Sequence, residues 1–283
     1  MKVRIPKIVP AAPAWAETFG VDLFGVFAGI RVAGVSQMLR WIEPCGPGEF
    51  LMGSPENERG RWKDEGPQHE VTIASGFWLG DTLVTQEFFQ AVAGTNPSVF
   101  KGEGRLPVES VSWNDAVEFC GKLDQLLLEG EDSQARLPTE AEWEYACRAG
   151  TTAALYSGEE LTSEDGKCPN LDKLAWYDKN SQSKTHAVAE KQPNAWGLYD
   201  MLGNVWEWCQ DVWQDNYIGA PTDGSAWESE GTIRVSRGGS WAGDARYCRC
   251  ACRYGWEPGG RARYAGFRLV LAARFNRDIR SFS

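Results

Sequence analysis

Apolar residues recur at three- and four-residue spacing in three stretches of the chain, and each carries the polar punctuation of a helix. Over 113–128, Ala116, Phe119, Cys120, Leu123, Leu126 and Leu127 fall on one side, which predicts a helix with one buried face. Ser112 precedes it with Asp115 three residues on, the spacing of a capping box with Asp in place of Glu. Thr139 and Glu142 give the full capping-box pattern ahead of a helix over 140–148, with Gly150 as its stop. A shorter helix is expected over 86–92. It opens at Thr85, carries Phe88, Phe89 and Val92 as apolar positions, and ends at Gly94.

Elsewhere the pattern is of short strands and turns. Strands are expected over 39–43, 48–53, 69–73, 77–83, 233–241 and 267–272. Residues 54–68 are polar and turn-rich, as a surface loop would be. From 151 to 194 Gly, Ser, Asp, Asn and Lys dominate, which predicts long ordered loops braced by buried rings such as Trp176. Apolar and small residues over 21–35 show no clean period. Residues 1–40 are therefore expected to be an amphipathic lead-in packed on or extending one domain of residues 41–275, with 276–283 as a tail. There is no internal repeat and no linker-like stretch.

Composition narrows the function. A chain of 283 residues with fourteen tryptophans can brace irregular backbone with large flat rings, each burying much area at little entropic cost. The net charge of −10 argues against a surface built to grip nucleic-acid phosphates. Arg246, Arg249, Arg253, Arg261, Arg263 and Arg268 cluster late and leave room for a local basic patch. Of the eight cysteines, Cys45, Cys120, Cys147, Cys168 and Cys209 lack ligand spacing and read as small buried hydrophobes. No stretch reaches the length of a membrane span and no signal-type apolar core follows Lys2, Arg4 and Lys7. The chain as written is expected in the cytoplasm, or at the surface or secreted if a leader has been removed.

Several motifs carry a resemblance. They are 50–54 (FLMGS), 67–71 (PQHEV), 107–108 (PV) with 111–113 (VSW), 136–144 (RLPTEAEWE), 197–208 (GLYDMLGNVWEW), 237–241 (RGGSW) and 266–269 (GFRL). Together they resemble the formylglycine-generating enzyme (sulfatase-modifying factor) family over about residues 41–273. The resemblance implies an α+β fold of the formylglycine-generating-enzyme type, a C-type lectin fold that is loop-rich, with a small twisted antiparallel sheet and two to three helices. It also implies a question about chemistry, because fold does not carry function with it.

The family's founding activity is copper-dependent oxidation of a substrate cysteine to formylglycine, with Cu(I) held by two thiolates, the ligands a soft cation prefers. The resemblance puts the first of these at Gly243, two residues after Trp241, and the second at Cys248. One thiolate cannot make that site. Cys248, Cys250 and Cys252 would share one face of an extended strand, yet no histidine lies nearby to complete a zinc set. The iron chemistry of related proteins needs histidines, and His69 and His186 read as structural. No copper or iron is expected, and a catalytic role is not expected. The copper-dependent oxidase remains the alternative reading.

The segment 242–265 has its own pattern. Among framework-like residues stand Ala242, Gly243, Asp244, Tyr247, Cys250, Cys252, Tyr254, Gly255, Gly259, Ala262, Tyr264 and Ala265, which share no chemistry. All are reachable from an Asn codon ending in a pyrimidine when its two adenines are randomised. With those positions restored to Asn, the segment resembles the variable region of proteins diversified by retroelements, which use this same fold. A degenerate family member with an eccentric C-terminus is the competing explanation. The diversified reading makes these twelve residues, with Trp256 and Arg263, a ligand-binding face with Tyr247, Tyr254, Trp256 and Tyr264 as anchors. The partner is then a macromolecular or surface ligand, a protein by preference, and not nucleic acid.

The family resemblance also implies a structural calcium site at Asp200, Gly203, Val205 and Glu207, with two carboxylates and two carbonyls as hard oxygen ligands. The rival reading has Asp200 and Glu207 closing the turn through backbone amides without a metal.

Overall fold

The computed structural model describes residues 9–102, 104–127 and 133–273. Leu128, residues 1–8 and the tail 276–283 lie outside them.

Residues expected to be a lead-in instead begin the main sheet. Strands β1 (Thr18–Asp22), β2 (Gly25–Val32) and β3 (Val35–Ile42) form an antiparallel meander. The period is hidden because β2 is buried on both faces at most positions, which removes the in–out alternation of a half-exposed strand. Close neighbours also demand small residues: a Cβ on Gly29 would sit 2.4 Å from Thr18 Oγ1 and 2.8 Å from Met38 Sδ. Ala33 and Gly34 turn β2 into β3 with positive φ at both, as a tight hairpin requires.

The chain continues through β4 (Leu51–Met52), β5 (His69–Glu70), β6 (Phe77–Gly80), α1 (Gln86–Ala93), α2 (Trp113–Leu127 as described), β7 (Ser133–Arg136) and α3 (Glu140–Arg148). Strands β8 (Trp206–Val212), β9 (Arg234–Arg237), β10 (Arg253–Trp256), β11 (Ala265–Gly266) and β12 (Val270–Ala273) follow. The six-stranded sheet runs β1-β2-β3-β6-β12-β7, and a four-stranded sheet runs β10-β9-β8-β11. The short β4 and β5 pair with each other. The expected strands over 48–53 and 69–73 shrink to these two-residue pieces.

Helix caps follow the sequence closely. Thr85 Oγ1 accepts from the Phe88 amide, and Thr139 and Glu142 close a reciprocal capping box. Ser112 and Asp115 do the same with the shorter acid. The left-handed stop of α3 is Ala149, one residue before the expected Gly150. Phe88, Phe89, Phe119 and Leu123 from α1 and α2 bury against Ile30, Leu39, Phe267 and Leu271. A second core packs α3 against the loops of 155–202 and against Cys209, Val235 and Cys250. Trp176 braces those loops, its ring stacked 3.7 Å from His186.

Candidate functional site

Three of the six late arginines are core struts, while Arg261 and Arg263 are exposed and Arg246 is half-buried. Arg249, Arg253 and Arg268 are 0–2 % exposed, so each charge must be paired to be tolerated. Arg249 reaches Glu58 and Glu65, Arg253 makes a two-pronged pair with Glu140, and Arg268 does so with Glu207. Arg237 adds a fourth strut. Its guanidinium pairs with Glu144 and donates to the carbonyls of Cys250, Ala251 and Cys252.

That clamp decides what the 242–265 segment presents. Residues 248–252 form a turn rather than the extended strand on which all three cysteines would share one face. With its carbonyls held by Arg237, the turn points its side chains inward. Cys250 and Cys252 are fully buried, and Cys250 Sγ lies 3.6 Å from Cys147 Sγ. Neither can face a ligand. Ala265 is likewise buried, because β11 runs parallel to β8 beneath the surface. Gly255 faces the wrong side: strand alternation turns it away from Tyr254 and Trp256, and a Cβ there would lie 2.9 Å from the Trp213 ring. These four positions drop out of the expected face.

Six others converge. Ala242, Gly243, Tyr247, Tyr254, Trp256 and Tyr264 line one open cleft of about 280 Å³ with Trp206 and Ser240. Its rings form a connected chain: Trp206 lies 6.0 Å from Tyr247 and 5.7 Å from Tyr254, and Trp256 lies 5.3 Å from both Tyr254 and Tyr264. The planes meet at 41–71°, so the rings wall a hollow instead of stacking flat. The indole Nε1 of Trp256 has no hydrogen-bond partner among the described residues. Trp62 extends the chain by stacking on Tyr247 at 6.1 Å, and the Arg246 guanidinium also lies over the Trp62 ring, 5.6 Å from its centroid. Asp244 pairs loosely with Arg246 at 3.6 Å, and Gly259, Ala262 and Arg263 are accessible outside the cleft lining.

The framework holds this hollow from below. Trp241 is buried against Phe100 and donates from Nε1 to the Arg263 carbonyl. The Trp206 amide donates to the Tyr264 carbonyl. Gly239, at positive φ, passes directly under Tyr247 and Cys248, where a Cβ would come within 2.9 Å of the Cys248 sulfur. Sequence reasoning missed Trp206, Ser240 and Trp62. Trp206 was signalled by the alternation around Glu207, which sends one tryptophan of β8 toward the cleft and Trp208 along the same side under Trp256.

No thiolate pair meets this cleft. Gly243 lines it, but Cys248 is fully buried, and burial pushes its thiol well above the ordinary range. Burial also raises the Cys252 thiol to about 12. All eight cysteines are unbonded and buried. His69 Nδ1 contacts the Pro67 carbonyl, and His186 Nε2 the Ser181 carbonyl.

The residues expected to hold calcium do not fit that ion as arranged. Both oxygens of Glu207 are engaged by Arg268, and Oε2 also accepts from the Trp143 indole, so its charge is already matched. Asp200 accepts from the Ala189 amide and from Asn204. Burial lifts its carboxyl to about 6. The expected result is that chelation leaves the melting temperature unchanged. Glu207→Ala should cost about 3–5 kcal/mol by stranding a buried arginine, with or without calcium. A chelator-induced drop in melting would contradict this.

The sequence model of the sulfatase-modifying factor enzyme 1-like domain matches residues 44–273. The chain belongs to this family. The mouse formylglycine-generating enzyme is 33 % identical over 214 residues, which cover 71 % of this chain and 53 % of that one; the family member described here thus spans about half of the mouse protein's length. Treponema denticola variable protein 1 superposes with a TM-score of 0.73 at 33 % identity, covering 86 % of this chain and 98 % of its own. PvdO from Pseudomonas aeruginosa superposes at 0.70 with 29 % identity, covering 90 % and 98 %. The family's enzymes and a variable protein are thus similar to this chain to a comparable degree, and the α+β fold, with three α-helices among the described residues and sheets antiparallel except for the β8–β11 pair, is of the type the sequence motifs implied.

Proposed function

We propose that this family member is a binding protein that presents a diversified aromatic cleft to a macromolecular ligand, and that it has no catalytic role. The observation that carries the reading is coincidence of two independent patterns. Five of the twelve positions singled out by codon reach, Ala242, Gly243, Tyr247, Tyr254 and Tyr264, line a single hollow together with Trp206, Ser240 and Trp256. Ala242 and Tyr254 are exposed and Tyr247 and Tyr264 half-buried, and the arginine clamp fixes the neighbouring main chain without using them. Likeness to a variable protein over most of both chains supports the same reading. Rings of this kind give large contact area at low entropic cost, and a protein ligand supplies side chains of the size the hollow admits.

The gene decides the diversification. An adenine-rich near-copy of the coding sequence for 242–265, close to a reverse transcriptase gene, is expected; a genome without one would remove the retroelement from the account. The family's enzymatic members keep the oxidase as the second reading. With Gly243 in the cleft and Cys248 buried, no oxygen consumption dependent on both copper and a cysteine-containing peptide is expected. Turnover above the free-copper background would overturn the non-catalytic assignment.

A further inference from the structure

A groove of about 820 Å³ lies apart from the aromatic cleft, between the turn of 55–59 and the segments 152–153 and 160–162. Glu58 contributes to it, with only 1 % of its side chain exposed. One carboxylate oxygen accepts from Arg249; the other, Oε2, has no partner among the described residues. A buried acceptor left unmatched is costly, and the neighbouring cations do not match it. Arg249 divides its donors among Glu58, Glu65 and the Gly60 and Arg246 carbonyls. Arg148 spends its guanidinium on Glu144, Ala153 and Gly53.

The rest of the groove is acceptor-rich. Glu160 lines it with an exposed carboxylate, and Thr152 and Thr162 add hydroxyls. The one cation in the lining, Arg59, is turned onto the Thr162 carbonyl. The chain as a whole carries −10, which favours the approach of a positive group.

We propose that this groove is a second binding site, for a protonated amine or guanidinium group such as a lysine or arginine side chain of a partner, with Glu58 at its floor and Glu160 at its rim. The site stands on its own residues and does not depend on the role of the aromatic cleft.

The test uses the full chain and three small probes: N-acetyl-arginine methylamide, N-acetyl-lysine methylamide and the neutral N-acetyl-citrulline methylamide. Amide signals of 57–59 and 152–153 should move on titration with at least one charged probe and not with the citrulline probe. Glu58→Gln and Glu160→Gln should each weaken that binding about tenfold, the scale of a lost hydrogen bond to a charged group. If Glu58→Gln fails to fold, the exposed Glu160→Gln alone decides. Equal shifts from the neutral probe, no shifts from any probe, or unchanged affinity in the folded variants would overturn the site.

Discussion

Replacing Arg237 with methionine will cost about 3–5 kcal/mol of folding stability, the scale for removing one partner of a buried ion pair. The guanidinium is fully buried and serves two purposes at once. It neutralises Glu144, which it shares with Arg148, and that pairing holds the Glu144 carboxyl below the usual carboxylate range despite its burial. It also satisfies three successive carbonyls, from Cys250 to Cys252. Methionine fills part of the volume and supplies neither. Set against a whole-domain stability of about 5–15 kcal/mol, the loss is large. Arg237→Lys should fall between wild type and methionine, because a single ammonium keeps the charge but cannot span three carbonyls in a planar fork. Urea unfolding measures both. A methionine variant within about 1 kcal/mol of wild type, the ordinary range of a single substitution, would mean that the clamp does not hold the turn.

The second large effect separates positions that the sequence places in one class. Cys250→Tyr should destabilise by about 3 kcal/mol or more, since it forces an oversized ring and a hydroxyl into a packed, apolar site. Tyr254→Asn should change stability by about half a kcal/mol or less, as exposed substitutions do. Tyr254 is 45 % exposed, whereas the Cys250 sulfur sits against Cys147. Thermal melts of the two single variants give the comparison. Similar losses at both positions would show that burial does not sort the segment.

The same contrast explains what could be read in advance. The helices were legible from Thr85, Ser112 and Thr139 because a capping side chain acts on its own next turn, and no distant contact is needed to interpret it. The family motifs were legible for a related reason: Gly203, Gly239 and Arg237 answer to close approaches that leave little choice of residue. The meander of 18–42 was not. Its small residues answer to neighbours such as Thr18 and Met38 across the sheet, and a strand buried on both faces loses its period. Cys250 and Cys252 misled for a third reason. Their two-residue spacing says "one face" only if the backbone is extended, and the backbone there is bent by a guanidinium from β9. The carboxylates of Asp200 and Glu207 matched a metal motif, but the cation that meets Glu207 comes from Arg268, sixty-one residues on.

A sorted library tests the central claim most directly. Positions Ala242, Gly243, Asp244, Tyr247, Tyr254, Gly259, Ala262 and Tyr264 are randomised together on the otherwise unchanged chain, and Cys250, Cys252, Gly255 and Ala265 in a parallel set. Both sets are displayed, sorted for folding, and then selected on an arbitrary folded protein such as lysozyme. A recognition face on a fixed scaffold predicts that most of the first set folds and yields binders whose contacts map to the aromatic cleft, while most of the second set is lost at the folding sort. Collapse of the first set, or binders whose contacts map elsewhere, would contradict it.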